Sequence, residues 1–211
     1  MEKIIHVEVG DVTLEGMLKI HEIDKGIVLF AHGSGSSRLS PRNNFVATVL
    51  NDNGLATLLI DLLSVEEDKT YQTRFDIELL TKRLTRVVHW VERHPETKHL
   101  PICLFGSSTG AAAALMVAAA LGHKIKAVVS RGGRPDMAIK ALHRVVAPTL
   151  FLVGGNDFGV IELNEQAFEM LNCTKKLEII PHATHLFEEP GCLDEVARQA
   201  SDWFKSSLLT K

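Results

Sequence analysis

Short apolar runs that alternate with helix-patterned stretches, from Gly26 to Phe204, predict an α/β chain built on a mostly parallel sheet with helices on both faces. Two further observations support this. The runs are continuously apolar, as in Gly26-Ile-Val-Leu-Phe-Ala31, which fits strands covered on both faces. The loops that follow them are rich in Gly, Ser, Asp and His, the residues that build sites at strand ends.

The elements follow in order. Ile4, Val7 and Val9, then Val12, Leu14, Met17 and Leu18, alternate on either side of Gly10-Asp11 and predict an N-terminal antiparallel hairpin. After the strand at 26–31 and its Gly/Ser loop, Pro41 to Asn53 reads as a helix with Phe45, Val46, Val49 and Leu50 on one face. Leu55 to Asp61 is a strand, and Gln72 to His94 repeats apolar residues at helical spacing. Strands follow at Ile102–Phe105, Ile125–Ser130, Pro148–Val153 and Leu177–Ile180. Between and after them, helices are expected over Ala111–Leu121, Val160–Leu171 and Leu193–Phe204. No repeat or long linker interrupts the series, so residues 1–211 are expected to form a single domain.

Composition narrows the function. Apolar residues make up 45% and charged residues 23%, enough apolar surface to offset chain entropy, so a folded rather than a disordered chain is expected. The charge sum, 23 − 26 = −3, leaves no basic excess for nucleic acid. Cys103, Cys173 and Cys192 are scattered and odd in number, so neither a disulfide framework nor a CxxC zinc site is expected. A reducing cytoplasm suits them. The start lacks a signal-peptide run, and the longest apolar stretch, Ala111–Leu121, is about half of a membrane span. No membrane, metal or cofactor is expected, and the partner expected is a small-molecule ester.

The strand at 102–105 runs into Gly106-Ser107-Ser108-Thr109-Gly110, the pattern G-x-S-x-G with Ser108 at its centre. Flanking glycines make room for a tight strand-to-helix turn that lifts the serine oxygen clear of the sheet. Hydroxyl chemistry then needs a base and an acid, in chain order Ser, Asp or Glu, His. Asp157 ends the loop after the strand at 148–153, with Asp136 and Glu162 as weaker candidates. Capping the next helix is the competing role for Asp157. His182 and His185 follow the last strand, and His185 lies deeper in the loop. Their spacing invites a metal, but no third ligand is placed. An oxyanion hole would take the N–H of Thr109 and one from His32-Gly-Ser-Gly35, Ser34 first and Gly35 second.

The pieces AHGSGSSR, LFGSSTGAAAAL, VVSRGGRPD, PTLFLVGGND and PHATHLFEEPG, spread over nearly the whole length, resemble the small dienelactone-hydrolase-like branch of the α/β-hydrolases. That resemblance implies the α/β-hydrolase fold and a triad of Ser108, Asp157 and His185, the last matching the family histidine before a Leu-Phe pair. Dienelactone hydrolases proper carry cysteine at the elbow, and this chain has Ser108. Some relatives are fusions with a phosphoribosyltransferase domain. The stretch between Ser130 and Pro148 is too short for a large lid.

The expected activity is a serine hydrolase acting on a carboxylic ester or thioester. Acyl transfer or peptide cleavage by the same triad, and a non-catalytic binding module, are the alternatives. Arg131, Arg134 and Arg38 follow strand ends and should border the site. Arg131 is the first choice to anchor an anionic group on the substrate. The competing role for these arginines is an ion pair with Asp136 or Asp61, or a solvated loop.

Overall fold

The computed structural model describes residues 1–209. Eight strands form one sheet in the order β1-β2-β4-β3-β5-β6-β7-β8. They are β1 (Glu2–Val9), β2 (Val12–Lys19), β3 (Ile27–Ala31), β4 (Ala56–Ile60), β5 (Ile102–Ser107), β6 (Ile125–Arg131), β7 (Thr149–Gly154) and β8 (Lys175–Ile180). β1 pairs antiparallel with β2 and β2 with β4, and all other pairings are parallel. The hairpin closes through Gly10 at φ 63°, a first central turn position that only glycine takes without strain.

Five α-helices cover the sheet: α1 (Pro41–Asp52), α2 (Ile77–Val91), α3 (Thr109–Leu121), α4 (Phe158–Met170) and α5 (Cys192–Leu209). The side chains of β3 divide between two cores. Ile27 and Leu29 join α2 and α3, and Val28 and Phe30 join α1 and α5. This period-2 split explains why the central runs are apolar throughout. Ala111 to Ala114 are wholly buried, so α3 lies close on the sheet.

The sequence reading departs from the structure in several places. The helix expected from Gln72 begins as a 3₁₀ turn, Gln72–Phe75, and the α-helix starts only at Ile77. Asp76 interrupts it, because its carboxylate accepts the Leu79 N–H (2.9 Å) as an N-cap. Phe45 is exposed rather than on the inner face of α1, where Asn43, Val46, Ala47, Leu50 and Asn51 are buried. β8 starts at Lys175, two residues earlier than expected, because it is an edge strand that tolerates lysines. Between β6 and β7 lies a 3₁₀ segment, Pro135–Arg144, missed by the sequence reading. It buries Pro135, Ala138, Ala141 and Leu142 and packs on α3 and α4 as scaffold. No helix among the described residues is long and apolar enough to cross a membrane.

Candidate active site

The carboxyl ends of β3, β5, β6, β7 and β8 bring together the loops singled out above. Ser108 stands between β5 and α3 at φ 50°, ψ −121°, a strained backbone for a residue with a side chain. Its surroundings hold it there. Its N–H donates to the Arg131 carbonyl (3.2 Å), and its own carbonyl accepts from Ala111 N (3.1 Å) and Arg134 N (3.1 Å). The two glycines of the motif are sterically required. A Cβ on Gly106 would lie 2.4 Å from Ala111 Cα, and one on Gly110 would lie 2.2 Å from the Ala31 carbonyl oxygen. Ser108 occupies the N-cap position of α3, yet its hydroxyl makes no capping bond and is left for other use.

Asp157 behaves in the same way. It occupies the N-cap position of α4, but its side chain makes no capping bond. Instead Oδ2 meets His185 Nδ1 at 2.6 Å. The contact is half-sheltered, with Asp157 15% and His185 39% exposed at the side chain. Two bonds join their loops: Asn156 N–H to the Ala183 carbonyl (2.9 Å) and Asn156 Nδ2 to the His182 carbonyl (2.9 Å). The His185 loop is braced further by Glu189, which accepts from Thr184 N (3.0 Å) and Thr184 Oγ1 (2.6 Å). The imidazole lies over Gly132, where an added Cβ would be 3.4 Å from both Cε1 and Nδ1. Gly132 follows the residue whose carbonyl holds the Ser108 N–H, so the imidazole and the elbow both lie against the end of β6.

The loop after β3 passes beside the elbow. A Cβ on Gly33 would lie 3.0 Å from Ser108 Cβ. The loop is fixed from below by His32, which is buried. Its Nε2 accepts the Leu62 N–H (3.0 Å), so the proton sits on Nδ1, which faces the Gly33 carbonyl (2.9 Å). Among the described residues, the N–H groups of Ser34 and Thr109 donate to no protein acceptor, as groups that receive an oxyanion must.

Residues 24–203 match the family described as alpha/beta hydrolase domain. The chain belongs to the alpha/beta hydrolase family. Within it, the chain is 55% identical to a dienelactone hydrolase from Anabaena variabilis ATCC 29413, whose crystal structure superposes with a TM-score of 0.95 over 98% of this chain and 97% of that one. This places the alpha/beta hydrolase in the dienelactone-hydrolase-like branch. Est1E from Butyrivibrio proteoclasticus shares the fold at 15% identity, with a TM-score of 0.84 over 97% of this chain and 98% of that one. A protein of Mycobacterium tuberculosis (strain ATCC 25618 / H37Rv), named phosphoribosyl transferase, is 52% identical over 97% of this chain and 46% of its own length. The chain thus spans about half the length of that curated relative.

Of the residues expected at this hydrolase's site, Ser108, Asp157, His185, Ser34 and Thr109 all lie around the strand ends. The weaker acid candidates lie elsewhere: Asp136 is bound to Arg134 (2.8 Å), and Glu162 is exposed on α4. His182 is exposed at φ 65°, with its carbonyl rather than its ring tied to Asn156. The three arginines separate cleanly. Arg38 pairs with Asp61 and Glu15, Arg134 pairs with Asp136, and Arg131 has no ion pair among the described residues. His32 and Asn156 were not singled out from sequence. Both act through backbone groups, and such bonds leave no pattern in residue order.

Proposed function

We propose that this alpha/beta hydrolase is a serine hydrolase that cleaves a carboxylic ester or thioester through Ser108, His185 and Asp157. The observation that carries the reading is the 2.6 Å contact between Asp157 and His185 Nδ1 beside a strained, uncapped serine. With Nδ1 donating to the carboxylate, His185 Nε2 carries the lone pair that a general base needs. Nε2 takes the Ser108 proton as Oγ attacks the carbonyl carbon. The tetrahedral oxyanion is received by the N–H groups of Ser34 and Thr109, each donor contributing about 3 kcal/mol in comparable sites. Collapse expels the alcohol or thiol, which leaves with the proton held on Nε2. Water, deprotonated by His185, then attacks the acyl-enzyme, and the acid departs as Ser108 recovers its proton.

Asp157 keeps the imidazole in the Nδ1–H tautomer and stabilises its cation. The position at the N-terminus of α3 adds a favourable field for the developing negative charge. The same acyl-enzyme would serve an acyl transfer if another nucleophile replaced water. The mycobacterial relative matches this chain over 46% of its own length, so we assign its transferase name to the part that this chain does not cover.

The test is turnover of p-nitrophenyl esters of increasing acyl length, with matched thioesters. Saturable hydrolysis that is lost in Ser108→Ala supports the reading. Turnover of neither ester class, or equal turnover by the variant, overturns it.

A further inference from the structure

The sheet ends at β8, whose one strand neighbour is β7. The carbonyls of Thr174 and Ile180 accept from Thr149 N (2.9 Å) and Gly155 N (2.8 Å) at the two ends of that pairing. A parallel ladder alternates, so the even-numbered residues of β8 bond to β7. Lys175, Leu177 and Ile179 turn their N–H and C=O groups to the open edge. These outward groups have no protein partner among the described residues. Such a row of free backbone groups is a template for another strand.

Edges are usually protected by charges that repel a second strand. On β8 the charges have both signs. Lys176 and Glu178 share the face of Ile180, which lies in the α5-side core, and their head groups meet at 2.7 Å. A groove of about 450 Å³, lined also by Leu150, Arg198 and Trp203, separates β8 from α5, so no helix closes over this side of the edge. On the opposite face Leu177 is half-buried and Ile179 is exposed.

We propose that β8 is a homodimer interface, pairing antiparallel with β8 of a second copy about a two-fold axis at Leu177. Parity and charge select that register. Outward groups meet only when odd-numbered residues face odd-numbered ones. With the axis at Leu177, the Leu177 pair and both Lys175–Ile179 pairs exchange N–H···O bonds. The Lys176–Glu178 pairs then fall at the non-hydrogen-bonded positions, where side chains stand closest. The two Lys–Glu couples join into a ring of alternating charge. Moving the axis by one residue would set Lys176 against Lys176 or Glu178 against Glu178. Lys175 keeps its Nζ on the carbonyls of Phe168 (2.6 Å) and Leu171 (3.0 Å), so its alkyl stem is what meets Ile179 of the second copy.

β1, the other edge, lacks this match. Met1 and Ile20 exchange bonds (2.9 and 2.8 Å), so the odd-numbered residues of β1 bond to β2 and the even-numbered ones face out. The same parity keeps Lys3 from standing opposite Glu2 or Glu8 of another copy. At β8 the two-fold axis lies perpendicular to the sheet. The carboxyl ends of the two sheets then point in opposite directions and both candidate sites stay open. The interface does not depend on the hydrolase reading.

The experiment is sedimentation velocity of the full chain from about 1 to 100 µM, at low and high KCl. The chain should dimerise within that range, and less tightly at high salt. Lys176→Glu and Glu178→Lys each set like charges across the axis, so each alone should raise the dimer dissociation constant at least about tenfold. An equimolar mixture of the two variants restores opposite charges and should dimerise at wild-type concentrations. A wild type that stays monomeric, a dimer that neither substitution weakens, or a mixture that stays monomeric overturns the proposal. If either charge variant does not fold, Ile179→Pro removes an outward N–H that β7 does not use. A monomeric Ile179→Pro supports the interface, and one that dimerises as the wild type does overturns it.

Discussion

The Asp157 carboxylate stands where it could cap α4 and instead binds His185 Nδ1 at 2.6 Å. Ser108 forgoes its cap on α3 in the same way. By contrast Ser40 accepts from Asn43 N (3.4 Å) on α1, and Asp76 accepts from Leu79 N (2.9 Å) on α2. An N-cap is worth roughly 1 kcal/mol. The chain gives up that stabilisation at the two helices that open onto the site and keeps it at two others. Residues withheld from a stabilising task in this way support the candidate site.

Substituting His185 and His182 in turn should separate their roles. His185→Ala should lower ester turnover by about ten-thousandfold or more, as loss of the general base does in serine hydrolases. His182→Ala should cost less than about threefold, because its ring is exposed and unengaged. Steady-state kinetics of both variants on one p-nitrophenyl ester measures this, and a reversed order of losses would move the base to His182.

Asp157→Asn preserves shape but gives His185 Nδ1 a group that can also donate. The wrong tautomer is then favoured, and kcat should fall about ten-thousandfold while the melting temperature changes little. Because the native carboxylate makes no cap bond, the stability of α4 does not depend on it. A kcat within tenfold of wild type would show that Asp157 does not orient the base.

Thiol reagents should leave activity intact. Cys103 is wholly buried inside β5, and burial pushes its thiol up to about 12. Burial also raises Cys173 and Cys192. Iodoacetamide attacks the thiolate, which is scarce at pH 8 for such groups. Inactivation at that pH with carbamidomethylation at Cys103 would contradict the serine assignment.

The elbow glycines predict a stability contrast. Gly110→Ala would drive a Cβ to 2.2 Å from the Ala31 carbonyl oxygen and 2.4 Å from that of His32, both backbone atoms that cannot turn aside. It should cost at least ~3 kcal/mol or abolish folding. Gly159→Ala, on α4 with nothing within 4 Å, should be neutral or stabilise by roughly 0.5 kcal/mol. Urea melts of the two variants give the comparison.

Much of this was legible in the residues themselves. Continuous apolar runs located β3 to β7 because strands covered on both faces leave few polar positions. Gly106 and Gly110 located the elbow because nothing larger fits there. Other features depended on packing. Asp76 could be recognised as a cap only once the 3₁₀ turn before it was known, while the spacing of Ala138, Ala141 and Leu142 in Pro135–Arg144 was a signal that the sequence reading passed over. Sequence put Arg131 ahead of Arg38 and Arg134 but could not say which of the three would be paired, because all follow strand ends. Arg38 pairs with Asp61 and Arg134 with Asp136, both partners that the sequence offered to any of the three, whereas Arg131 has no ion pair among the described residues. His182 and His185 are three residues apart with equal chemistry; the sequence favoured His185 by its place before Leu186-Phe187, and its contact with Asp157 depends on the loop geometry.

The central claim is that Ser108 Oγ is the nucleophile. The most direct measurement is mass spectrometry of the peptide map after treatment with a fluorophosphonate, which adds covalently to an activated serine. The account predicts one adduct per chain, on the peptide that carries Ser108, absent from Ser108→Ala and strongly reduced in His185→Ala. An adduct on another residue, or labelling of Ser108→Ala at the wild-type rate, would contradict it.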